Sequence, residues 1–190
     1  MHPISSGDST RPQTGLPPIH GASIEVLILG SFPGRQSLQK KEYYGNPRNQ
    51  FWQIMDFLFQ IDRRLPYVNR ASLLAGHGIA LWDVISTCCH QGSADSRIRD
   101  PVFNDIMDFL SSFPLPRLIV FNGTSAGRYY RQLNIPVSVP YEVLPSTSPA
   151  NTRYPLSEKV KRWEIILPVS YPVRITAGNY RSMRNFRKIT

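Results

Sequence analysis

Tyr44, Asn46 and Asn49 stand close together in a polar stretch that also holds Tyr43, Pro47 and Arg48. Asparagine is not a base, but its side-chain carbonyl can hold and polarise a water. That is enough only where a leaving group departs early and water meets an oxocarbenium-like centre. An aromatic in a basic loop suits stacking on a nucleobase. Tyr44 is the candidate for that role, whereas Tyr43 reads better as packing against a sheet. Each asparagine also reads as a helix cap. Asp83 and Asp95 are the carboxylates expected near the same edge, and either could steady a cationic sugar or activate water. Both read first as caps, of a strand end and of a turn.

Other chemistries find little support. His2, His20, His77 and His90 lack metal-ligand spacing. Cys88 and Cys89 are adjacent, a spacing that rarely gives an unstrained disulfide, and two thiols cannot complete a four-cysteine cluster. No metal and no redox cofactor are expected, and the thiols read as reduced. The turn Gly30-Ser31-Phe32-Pro33-Gly34 is neither a P-loop nor a dinucleotide fingerprint, which disfavours a nucleotide-binding α/β protein.

Elements must bring these residues together. Residues 23–29 form a β-branched, leucine-rich run that stops at Gly30, as a buried strand does. A loop to Arg48 follows, then an apolar helix over 49–60. A second helix is expected over 67–75, a strand over 79–84, and polar loop over 85–99. Asp100-Pro101 reads as a helix start leading to about Ser112. A strand over 117–121, a helix over 125–132, a strand over 137–144, a loop over 145–155 and a helix over 157–167 complete the pattern. Alternating strands and helices imply an α/β fold: one three-layer domain with a four-stranded, mainly parallel sheet. The loops after its strands then converge on one edge, where open α/β sheets place their chemistry.

Residues 1–22, rich in Pro, Gly and Ser, are expected to be a flexible leader. Residues 23–168 form the domain, and 169–190 a basic extension. The 190 residues carry a net charge of +9 and a pI of about 9.9, which favours a polyanionic partner. Arg35, Lys40, Lys41, Arg48, Arg153, Lys159, Lys161 and Arg162 lie in or beside the loops named above. No apolar run reaches the roughly 18 residues of a membrane span, and no signal-peptide core is evident. The expectation is a soluble cytoplasmic protein with no membrane association, nucleoid-associated or, in a eukaryote, nuclear.

Several motifs in order resemble the uracil-DNA glycosylase superfamily. They are Gly30-x-x-Pro33-Gly34, Tyr43-Tyr44-Gly45-Asn46-Pro47-x-Asn49-x-Phe51-Trp52, Leu81-Trp82-Asp83-Val84, Gly92-Ser93-x-Asp95-Ser96, Phe121-Asn122-Gly123 and Pro145-Ser146-Thr147-Ser148-Pro149-Ala150-Asn151. Their wording is closest to the hypoxanthine-DNA (deoxyinosine) glycosylase branch. The resemblance implies a monofunctional, metal-free DNA glycosylase. It would be a monomer acting on double-stranded DNA that holds a damaged or mismatched base.

By that resemblance the first motif, with Ser31 and Phe32, lies against the flipped base and sugar. The mismatch-specific branch places its water with an asparagine at the position of Phe32. The hypoxanthine branch relies on one further along, which matches Asn49. Tyr44 matches the aromatic that stacks on the base, and Asn122 sits at the pocket edge. The loop with Ser146, Ser148, Asn151 and Arg153 matches the motif that enters the minor groove. Gly34 and Gly45 would let the backbone approach the nucleotide. The same scaffold acting on uracil, xanthine or mismatches, or serving as a non-catalytic damage-binding module, is the alternative.

Overall fold

The computed structural model describes residues 11–90, 98–135 and 139–168. Its centre is strand β2 (Val26–Gly30), whose five residues are all buried. A strand covered on both faces has no polar side to show, hence the unbroken apolar run. It pairs in parallel with β3 (Ile79–Asp83) on one side and β6 (Leu118–Asn122) on the other; β7 (Tyr141–Leu144) extends the sheet beyond β6. The order β3-β2-β6-β7 is the expected four-stranded parallel sheet.

Alternate side chains of β2 enter opposite layers, as the period of a strand requires. Val26 and Ile28 join Phe51, Trp52, Met55, Leu74, Val160 and Trp163 on one face. That layer belongs to α2 (Phe51–Phe59), α3 (Tyr67–Gly76) and α6 (Leu156–Trp163). Leu27 and Leu29 meet Ile106, Leu110, Ala126 and Tyr129 on the other face, from α4 (Ile106–Ser111) and α5 (Thr124–Arg131). Each fully buried aliphatic side chain contributes about 1.5–3 kcal/mol, so the three-layer division is well driven.

Three features depart from expectation. A short helix, α1 (Arg35–Lys40), interrupts the loop after β2. The segment read as polar loop and helix start is instead a hairpin-like pair, β4 (Ile85–His90) and β5 (Ile98–Phe103). Asp100-Pro101 therefore lies in a strand, and the helix begins only at Ile106. The expected leader is held down over part of its length. Gln13–Thr14 (β1) pairs antiparallel with β4 to give a second, three-stranded sheet, and Ile19 bridges Leu81. The Gly92–Ser96 motif with Asp95, residues 1–10 and the basic extension from residue 169 lie outside the described residues. Among the described residues no helix is long and apolar enough to cross a membrane.

Candidate active site

The carboxyl ends of β2, β3, β6 and β7 bring four loops to one edge of the sheet. Pairing between the first two continues past the strands: Val84 N–H donates to Gly30 O at 2.9 Å and Ile85 N–H to Ser31 O at 3.1 Å. Ser31 is thereby fixed at the edge, half-buried. Phe32 is 8% exposed and packs with Leu29, Val84 and Ile85. Its ring is part of the core cluster on the α4–α5 side of the sheet. Asp83 is buried beside Gly30, its partner in register, and a Cβ at Gly30 would overlap its carboxylate.

After α1 the chain turns through Lys41 (φ 55°) and Tyr44 (φ 56°), both in the left-handed region. Tyr43 is tethered three ways. Its hydroxyl donates to Leu16 O, its N–H to Tyr67 Oη, and its carbonyl accepts from Trp52 Nε1, each at 3.0 Å. Burial first, then the nearby Asp83 charge, pushes the Tyr43 phenol well above its ordinary pKa. The packing role read for Tyr43 is what the structure places there. Tyr44 stacks on Phe51, with centroids 4.1 Å apart and planes 26° apart. One face of its half-buried ring is therefore already covered.

The two asparagines differ. Asn46 Oδ1 accepts from Arg48 N–H at 2.9 Å and shapes a turn. Asn49 Oδ1 accepts from Phe51 N–H at 3.0 Å, satisfying one of the orphan donors at the start of α2. Asn49 thus stands one residue before the N-cap, Gln50, and closes the turn into α2, and the second lone pair of its carbonyl can accept from a water. The glycines differ too. A Cβ on Gly34 would meet nothing within 4 Å, whereas one on Gly45 would lie 3.3 Å from Glu42 O and 3.4 Å from Gln36 O. Gly45 serves the closure of its own loop, and Gly34 faces open space.

Asn122, at the end of β6, grips Thr147. Its Nδ2 donates to Thr147 Oγ1 and its Oδ1 accepts Thr147 N–H, both at 2.9 Å. Its visible work is therefore to hold the 145–151 loop. Within that loop Ser146 Oγ accepts from Ser148 N–H, Ser148 Oγ accepts from Ala150 N–H, and Asn151 Nδ2 donates to Ser146 O. These side chains shape the loop. Arg153, exposed beyond it, lies against the Tyr154 ring at 5.3 Å.

Three residues that sequence reasoning passed over as site residues, Gln50, Thr147 and Trp163, complete the edge together with Lys159. Gln50 N–H donates to Thr147 O at 3.0 Å, joining the two motif loops. Trp163 Nε1 donates to Pro145 O at 3.1 Å. Lys159 Nζ donates to Gln50 Oε1 at 2.8 Å and Asn151 O at 2.9 Å. Lys159 is 1% exposed, unlike the surface cations with which the sequence groups it for a polyanionic partner. The spacing of Lys159 and Trp163 on one face of α6 was the available signal; that Thr147 is fully buried was not readable. Among the described residues no cluster of three His, Cys, Asp or Glu side chains is placed to hold a metal.

A family model described as the Uracil DNA glycosylase superfamily matches residues 17–168, most of the chain. The chain belongs to this superfamily. By class it is a DNA glycosylase, a hydrolase. A protein named hypoxanthine DNA glycosylase from Methanosarcina acetivorans is 37% identical to this glycosylase over 155 residues, 80% of this chain and 96% of that one. Its namesake from Methanosarcina barkeri is 36% identical over 148 residues, 76% of this chain and 92% of that one. A solution NMR structure from M. acetivorans, provisionally assigned as a uracil DNA glycosylase, superposes with a TM-score of 0.70 at 34% identity. It covers 82% of this glycosylase and 99% of the other chain.

Proposed function

We propose that the glycosylase excises deaminated bases, hypoxanthine first, from double-stranded DNA and leaves an abasic site. The base is flipped out of the stack, a step that costs a few kcal/mol and least for a damaged or mismatched pair. Tyr44 offers the ring face turned away from Phe51 to the extruded base. As the bond from the sugar C1′ to the base nitrogen breaks, its electron pair leaves with the base. A water then joins C1′ and gives up its proton to solvent. Asn49 Oδ1 holds that water by accepting one of its hydrogens; no covalent nucleophile is used. The observation that carries this reading is the position of Asn49. It leads into α2 at the sheet edge, its Oδ1 accepting Phe51 N–H, one residue from the Gln50–Thr147 link to the second motif loop.

The relatives named hypoxanthine DNA glycosylase support the choice of base, and buried Phe32 in place of a water-holding asparagine argues against the ordinary uracil route. The test is base release under single turnover. Duplexes carrying hypoxanthine, uracil, xanthine or a thymine mismatch are incubated with the enzyme and then cleaved with alkali. Hypoxanthine is expected to be released fastest. Faster release of uracil would move the reading to the uracil branch, and release from none of the duplexes would overturn it.

A further inference from the structure

A lysine ammonium in a protein interior normally finds a carboxylate, because burying a charge is costly unless it is paired. Lys159 does not follow that rule. Among the described residues no carboxylate forms an ion pair with it, and the adjacent Glu158 turns outward to Arg162 at 2.9 Å. Its charge is met by two neutral oxygens, Gln50 Oε1 and Asn151 O. Burial pushes its pKa down, as expected for an amine so placed.

The geometry gives this contact a direction. Trp163, one helical turn on, donates to Pro145 O, so α6 holds the 145–151 loop at both ends. Gln50 N–H holds its middle at Thr147 O. The Gln50 side chain is in turn fixed by Lys159. The loop and the first turn of α2 therefore form one clamped unit, and Asn49 is the residue immediately before Gln50.

We propose that Lys159 is a positioning residue, whose ammonium locks Gln50 to the 145–151 loop and so sets Asn49 relative to a duplex that the loop engages. This rests on the reading of Asn49 as the holder of the water. Lys159 itself touches neither substrate nor water. A displacement of about 1 Å at a reacting group can cost on the order of 10²-fold in rate, so loss of the lock affects the chemical step far more than duplex affinity.

Single-turnover release from a hypoxanthine duplex and the duplex Kd are measured for the wild type, Lys159→Met, Gln50→Leu and the double variant. Lys159→Met is expected to slow release by about 10²-fold with Kd changed by no more than about threefold. The double variant should be no slower than the slower single one, because both remove one link. Equal losses in rate and affinity, or additive losses, would overturn the proposal. Should Lys159→Met fail to fold, Gln50→Leu cuts the same contact from the half-buried side and carries the same expectation. Should the wild type release no base from any duplex, the water-holding reading fails by itself. The lock is then read by amide exchange at Gln50, whose N–H is expected to exchange about tenfold faster in Lys159→Met; unchanged exchange would sink it.

Discussion

The proposed function gives Asn49 two jobs that substitutions can separate. Its Oδ1 accepts Phe51 N–H at the entry to α2, and the proposed chemistry uses the same oxygen to hold a water. Asn49→Ala removes both. It is expected to lower base release by about 10²–10⁴-fold and stability by about 0.5–2 kcal/mol, read by single-turnover kinetics and urea unfolding. Asn49→Ser keeps a capping hydroxyl but is too short to reach the water, so stability should return while the rate stays low. Recovery of rate with stability would assign the defect to the cap. Tyr44 makes a different demand. One face of its ring is on Phe51, and stacking on the other is worth about 1–3 kcal/mol per base. Tyr44→Leu should weaken binding to a hypoxanthine duplex by roughly 5–150-fold while leaving affinity for undamaged duplex nearly unchanged. Titration of both duplexes checks this, and parallel weakening would place Tyr44 in general DNA contact instead.

At the level of elements, the site depends on a turn that no listing of apolar runs would flag as fragile. Gly123 has φ 99°, a conformation side chains rarely adopt, and a Cβ there would come 2.9 Å from Ser146 Cβ. Gly123→Ala meets both penalties, about 1–3 kcal/mol for the backbone alone. It should lower the denaturant midpoint and slow base release although Asn49 and Tyr44 are untouched; an unchanged midpoint would show that the loop simply yields. The strands that carry these turns were legible because β2, β3 and β6 are apolar runs with polar or glycine endings, and burial on both faces demands that pattern. Helix α1 was not legible, since Arg35-Gln36-Ser37-Leu38-Gln39-Lys40 has no apolar stripe and its N-terminus has no side-chain cap. The β4–β5 pair was hidden by Asp100-Pro101, which resembles a helix start. Strand β5 lies at the edge of its sheet, where a missing proline N–H costs little. The pairing of Gln13–Thr14 runs through backbone groups, so side-chain composition could not announce it. Around the candidate site, the packing of Tyr43 was readable from residue type and order. The roles of Gln50, Thr147 and Lys159 come from contacts between distant segments, which local sequence does not encode.

Over the whole molecule the electrostatics divide by exposure. The chain carries +9, yet its cations do not all face one partner. Arg35, Lys41, Arg48, Arg153 and Lys161 are exposed, whereas Lys159 is buried. Exposed cations that neutralise phosphates release counterions, and log Kobs then falls with log salt by about 0.9 per contact. Arg48→Ala and Arg153→Ala should each flatten that slope by about 1. They should weaken hypoxanthine and undamaged duplexes alike, because phosphates carry no base information. Lys159→Met should leave the slope unaltered, since a fully buried ammonium releases no counterion from DNA. Binding isotherms over a series of salt concentrations separate the two classes. A flattened slope in Lys159→Met would mean that its charge reaches the phosphates, while unaltered slopes in both arginine variants would put the DNA backbone on another face of the protein.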